Sequence, residues 1–200
     1  MLGSGSRGNA SLIECGSTRL LLDCGFSARE TSLRLERLRR TSESLTAILV
    51  THEHSDHCRG VASCARQFGV PLWMTPGTFS ALKEQLDGIT DIHFINPHEA
   101  FVIGDIQVQP FPVPHDAREP GQFVFSNGDV RLGILTDTGE STAHIEEMLS
   151  GCEALVLECN HDRRMLRDGP YPSSLKARIA GDQGHLDNDT AARLLSQLDC

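Results

Sequence analysis

Residues 51 to 57 read Thr-His-Glu-His-Ser-Asp-His, which puts three imidazoles and a carboxylate within six residues. His52 and His54 are two apart, so in an extended loop their rings converge on one ion, while Asp56 and His57 reach a second ion beside it. Imidazole with carboxylate suits zinc, manganese or iron; calcium and magnesium prefer mostly oxygen. Two such ions about 3.5–4 Å apart lower the pKa of a shared water towards about 7 and supply hydroxide near neutral pH. The expected chemistry is metal-assisted hydrolysis.

The flanking elements fit a rigid site. Ser44 to Val50 is an apolar, β-branched run that predicts a buried strand, and Val61, Cys64, Ala65 and Phe68 have helical spacing. The ligand segment therefore leaves a strand and enters a helix, both of which packing holds in place. Elsewhere, Ser11 to Glu14 and Arg19 to Leu22 read as paired strands, and Ser27 to Arg40 as a helix with Ser27 and Glu30 as a capping box. Helices are also expected over Thr75 to Leu86, Ser141 to Leu149, Ser173 to Ala180 and Asp189 to Leu198. Strands are expected over Ile89 to Ile95, Phe101 to Phe111 with a hairpin at Gly104-Asp105, Gln122 to Ser126, Val130 to Thr136 and Ala154 to Glu158.

With its preceding strand, the His-rich segment resembles the signature of the metallo-β-lactamase fold, an α/β protein built as an αββα sandwich. Pro112-Val113-Pro114-His115-Asp116 and Arg131 to Gly139 match that family's later ligand strands. The resemblance thus implies one ion on His52, His54 and His115, and a second on Asp56 and His57, with Asp137 bridging the two. A Cys in place of Asp137 would point to zinc β-lactamases; the Asp points to the hydrolase and nuclease branches. Leu2 to Ala10, Glu158 to Asp162 and Gly184 to Asn188 are similar to the YycJ/WalJ-like subgroup, cytoplasmic exonuclease-like phosphodiesterases related to ribonuclease Z. From ribonuclease Z carries over a pairing of Glu158 with His185, the latter as general acid. Asp56 would aim the hydroxide, and Asn9 and His161 are candidate substrate contacts. The family's last His ligand lies on a further strand, so a sequence shortened at both ends, or a naturally short variant, is expected.

Composition narrows the reading. The 200 residues, 39% hydrophobic, suit a single domain over 1–200, and no apolar run approaches the roughly 20 residues of a membrane span. Seven Cys without a C-x-x-C pair suggest reduced thiols and a cytoplasmic protein. The net charge of −9 argues against nucleic acid, yet two divalent ions would return about four positive charges where a phosphate sits. All but two of the basic residues are Arg, whose planar fork suits phosphate oxygens. The expected function is a phosphodiesterase or exonuclease on DNA using two divalent ions, Zn or Mn. The alternatives are a small-molecule hydrolase of thioesters, lactones or cyclic phosphates, and a metal-bound, non-catalytic module.

Overall fold

Short strands make up the sheet of the first half of the chain, and Ala47–Leu49 is buried at every position. The computed structural model describes residues 1–199. Two compact units divide it: Met1–Ile106 with Ala117–Gly121, and Gln107–Asp116 with the chain from Gln122 onward. No helix among the described residues is long and apolar enough to cross a membrane.

In the first unit, β1 (Ser11–Cys15) pairs antiparallel with β2 (Thr18–Leu22). Then β3 (Ala47–Leu49), β4 (Leu72–Met74) and β5 (Ile92–Phe94) follow in parallel, in the order β1-β2-β3-β4-β5. Leu20, Leu21, Ile48, Leu49 and Leu72 are fully buried, as expected of parallel strands covered on both faces. Each such side chain contributes about 1.5–3 kcal/mol by leaving water. The intervening helices are α1 (Ala28–Arg37), α2 (Ser55–Cys58), α3 (Val61–Phe68) and α4 (Pro76–Leu82). A short strand, β6 (Phe101–Ile103), follows.

The second unit has the order β10-β9-β8-β7, from β7 (Ile106–Pro112), β8 (Gly121–Ser126), β9 (Arg131–Leu135) and β10 (Ala154–Leu157). β9 is antiparallel to β8 and parallel to β10. Its helices are α5 (Ala143–Leu149), α6 (Arg163–Asp168), α7 (Ser173–Ile179) and α8 (Asn188–Gln197). Phe111, Leu135, Ile145, Leu149 and Leu194 form its core.

Several boundaries differ from the sequence reading. α1 stops at Arg37 because Arg39 turns left-handed (φ 56°) and breaks the helical path. The capping box is half made: Ser27 Oγ accepts from the Glu30 N–H, but the Glu30 carboxylate turns to Arg34 at 2.8 Å. Residues 42–44 form a 3-10 turn that delays the expected strand until Ala47. α4 ends at Leu82, four residues early, and β5 is confined to Ile92–Phe94. The largest change lies inside the His-rich segment, where only the start is extended. His57 N–H and Cys58 N–H both donate to the His54 carbonyl (2.9 and 3.0 Å), winding α2 and setting Asp56 and His57 on a helical turn.

Candidate metal centre

Parallel strands deliver side chains at their carboxyl ends. β2 and β3 run in register at Leu22–Leu49, so the chain leaves them side by side as Asp23 and as Val50-Thr51-His52. Asp23 is buried with φ 61° and gathers the neighbourhood. Its Oδ1 accepts from the Thr51 N–H at 2.9 Å, and its Oδ2 lies 2.8 Å from His57 Nδ1. The Thr51 hydroxyl donates to the same carboxylate and lies 2.9 Å from His52 Nδ1. This arrangement fixes two tautomers. Each Nδ1 carries its proton towards an oxygen, which leaves Nε2 as the lone-pair nitrogen of His52 and His57. The His52 ring lies 4.6 Å from His54 and 4.2 Å from His57, so three imidazoles converge.

Asn9 enters from the N-terminal loop. Its Nδ2 lies 3.0 Å from His57 Nε2 and 3.1 Å from Asp56 Oδ2, and its Oδ1 accepts from Gly5 N–H at 2.8 Å. The backbone is as close: Asn9 N–H donates to the Asp56 carbonyl at 2.7 Å, and Gly25 N–H donates to the Asn9 carbonyl at 2.9 Å. A Cβ on Gly25 would lie 1.8 Å from the Asp56 carbonyl oxygen, so only glycine admits this contact. Cys58 is buried, its thiol donates to the Glu53 carbonyl, and burial with nearby carboxylates pushes its pKa up to about 12. Arg34 and Arg40 serve packing: Arg34 lies over the Phe26 ring and Arg40 pairs with Glu14.

The second unit repeats the strand-end device. β9 and β10 are parallel in register at Leu135–Leu157, which carries Asp137 and Glu158 out on the same edge. His185 Nδ1 lies 2.7 Å from Glu158 Oε1 and 3.2 Å from Asp137 Oδ1. Ligand-capable atoms of these three residues all lie within 4.8 Å of one another. Glu158 Oε2 accepts from Thr138 N–H and Leu186 N–H, so the carboxylate is held on both oxygens. Burial opposes charge on His185, but hydrogen bonds to Asp137 and Glu158 and their negative charges outweigh it and push its pKa up to about 10. Burial lifts Glu158 as well, against the pull of His185.

His115, beyond β7, is buried, with Nδ1 3.0 Å from the Gly184 carbonyl, so its Nε2 too is the lone-pair nitrogen. Its ring lies 5.3 Å from that of His185. The loop before His185 turns tightly, since a Cβ on Gly184 would lie 2.2 Å from the Arg178 carbonyl oxygen. His161 lies on a β-bridge to Asp187 and lines a cleft with His185; burial lowers its pKa. Imidazoles pinned at Nδ1 beside carboxylates fit zinc or manganese by the chemistry of the donors.

Asp23 and Thr51 escaped the sequence reading. The available signal was the apolar run Leu20-Leu21-Leu22 closing on an acid, the pattern that did single out Asp137.

Comparison with known proteins bears on both halves. Residues 18–199 match the family model described as Beta-lactamase superfamily domain. The chain is 37% identical over 200 residues to Exodeoxyribonuclease YycJ of Bacillus anthracis, covering 99% of this chain and 76% of that protein. It is 35% identical to Exodeoxyribonuclease WalJ of Streptococcus pneumoniae serotype 2, covering 98% and 74%. The crystal structure of the metallo-β-lactamase fold protein YhfI from Bacillus subtilis superposes with a TM-score of 0.72 at 17% identity, over 95% of this chain and 74% of that one. That likeness shows the fold.

Proposed function

Because the chain belongs to the beta-lactamase superfamily, we propose that it is a metal-dependent phosphodiesterase that cleaves DNA as an exonuclease, in the cytoplasm. The observation that carries this reading is His185, held at Nδ1 by buried Glu158 and by Asp137. A hydrolase of activated esters needs no such proton donor, whereas a DNA phosphodiester has a poor alkoxide leaving group. The two relatives named as exodeoxyribonucleases support the substrate class. The six described cysteines are all free, which suits a reducing compartment.

By the family's ligand pattern, His52, His54 and His115 would hold one divalent ion, and Asp56, His57 and Asp137 a second, zinc or manganese in either case. When bound, such ions activate water and neutralise charge on the phosphate oxygens. The chain's own residues do the rest. Asp23 and Thr51 keep Nε2 of His57 and His52 unprotonated, and Asn9 steadies the Asp56 carboxylate that accepts a hydrogen bond from the attacking water. His185 keeps its Nδ1 proton on Glu158 and gives its Nε2 proton to the leaving oxygen, a step worth about 10²–10⁴-fold.

The test is turnover by the manganese- or zinc-loaded protein of linear duplex DNA, bis-p-nitrophenyl phosphate and an acyl thioester. Hydrolysis of both phosphodiesters and not the thioester is expected. Thioester hydrolysis alone would assign a small-molecule hydrolase, and no turnover would assign a binding module.

A further inference from the structure

His185 also lines a cleft that the proposed chemistry leaves unassigned. It has a volume of about 550 Å³, within the range of small-ligand sites, and is walled by α6, α7 and the start of α8. Its lining includes Arg163, Arg167 and Lys176, one of only two lysines in a chain of net charge −9. The acids Glu140, Asp182 and Asp187 line it too, but Asp187 is engaged by Arg163 at 2.7 Å and by Thr190. Arg163 is thus part of the wall. The other two cations are differently held. Among the described residues, Arg167 pairs with its exposed neighbour Asp168, a contact of little strength. Lys176 Nζ donates one N–H to the Arg167 carbonyl at 2.7 Å, which fixes its position and leaves two donors.

We propose that this cleft seats the nucleotide on the leaving side of the scissile bond, with Arg167 and Lys176 meeting that nucleotide's other phosphate. The inference rests on the role of His185 given above. A general acid must lie within hydrogen-bond reach of the leaving oxygen, so the group attached to that oxygen starts beside His185. Its cleft has room for a nucleoside, and Lys and Arg bind phosphate as a point charge and as a fork. His161, on the same wall, faces the sugar and base.

Two measurements on the metal-loaded full chain test this, with Lys83→Ala, an exposed lysine far along the sequence, as the control. The first is calorimetric titration of thymidine and its 5′- and 3′-monophosphates. One monophosphate should bind at least tenfold more tightly than thymidine, and Arg167→Ala/Lys176→Ala should remove that preference while Lys83→Ala keeps it. The second compares thymidine dinucleotides with and without the matching terminal phosphate. The double variant should raise KM about tenfold on the phosphorylated one only, with bis-p-nitrophenyl phosphate turnover within twofold of wild type. Absence of a phosphate preference in the wild type, its survival in the double variant, or equal slowing of every substrate would overturn the proposal. Failure of the phosphodiesterase reading shows differently: no substrate is turned over by the wild type, whatever the titration gives.

Discussion

The two units each gather an imidazole site at their strand ends by one device, and the sites are prepared for opposite tasks. In the first unit, Asp23 and Thr51 take the Nδ1 protons of His57 and His52, so those rings present lone pairs. In the second, Glu158 and Asp137 crowd the Nδ1 of His185 and push its pKa up. Carboxylates thus orient imidazoles in both places. Asp23 contacts the His57 ring and the Thr51 backbone and hydroxyl, whereas two carboxylates share His185 and raise its pKa. Both acids at His185 crowd one nitrogen, Nδ1, whereas those at His57 lie at opposite nitrogens, Asp23 at Nδ1 and Asp56 3.7 Å from Nε2.

The largest expected effect breaks the first half. His54→Ala should abolish turnover of both phosphodiesters and lower the melting temperature of the metal-loaded protein, because lost metal affinity is lost folding free energy. Full activity in metal-replete His54→Ala would remove the ligand half of the comparison.

Next comes the second half. His185→Ala should lower kcat on duplex DNA by about 10²–10⁴-fold, with much less effect on bis-p-nitrophenyl phosphate, whose phenolate departs unaided. Glu158→Gln should act in the same direction more weakly, by lowering the protonated fraction of His185. Equal slowing of both substrates would make His185 a structural residue.

Asp23→Asn sharpens the comparison. An amide preserves the shape but presents N–H where an acceptor is needed, so metal affinity should fall by about 10–100-fold. Competition with a chromogenic chelator measures it, and unchanged affinity would reduce Asp23 to packing. The smallest effect is expected of Arg39→Ala on α1's exit: stability within about 0.5 kcal/mol and unchanged activity, checked by urea melts and the DNA assay.

How legible each half was follows from how it is encoded. The ligands of the first half are contiguous, and a run of imidazoles at fixed spacing needs no fold to be noticed. His115, Asp137, Glu158 and His185 are scattered over 71 positions and were found through the strands before them and a family resemblance. Asp23 was missed because a lone acid after three leucines looks like an ordinary strand exit; only the parallel register of β2 and β3 sets it against Thr51 and His57. The turn of α2 was misread because His54 caps it through its backbone carbonyl, with no Ser or Asp at the N-cap to mark it. Arg39 at positive φ gave no warning either, since glycine or asparagine is the usual sign. The cleft was invisible because its cations come from two helices joined by a Pro-Gly-rich loop.

The division of labour is tested most directly by the metal content of His185→Ala beside wild type and His54→Ala after equal dialysis. His185→Ala should retain the wild-type content while its DNA turnover collapses, and His54→Ala should lose metal. If His185→Ala lost metal and His54→Ala kept it, the ligand and the proton donor would be the wrong way round.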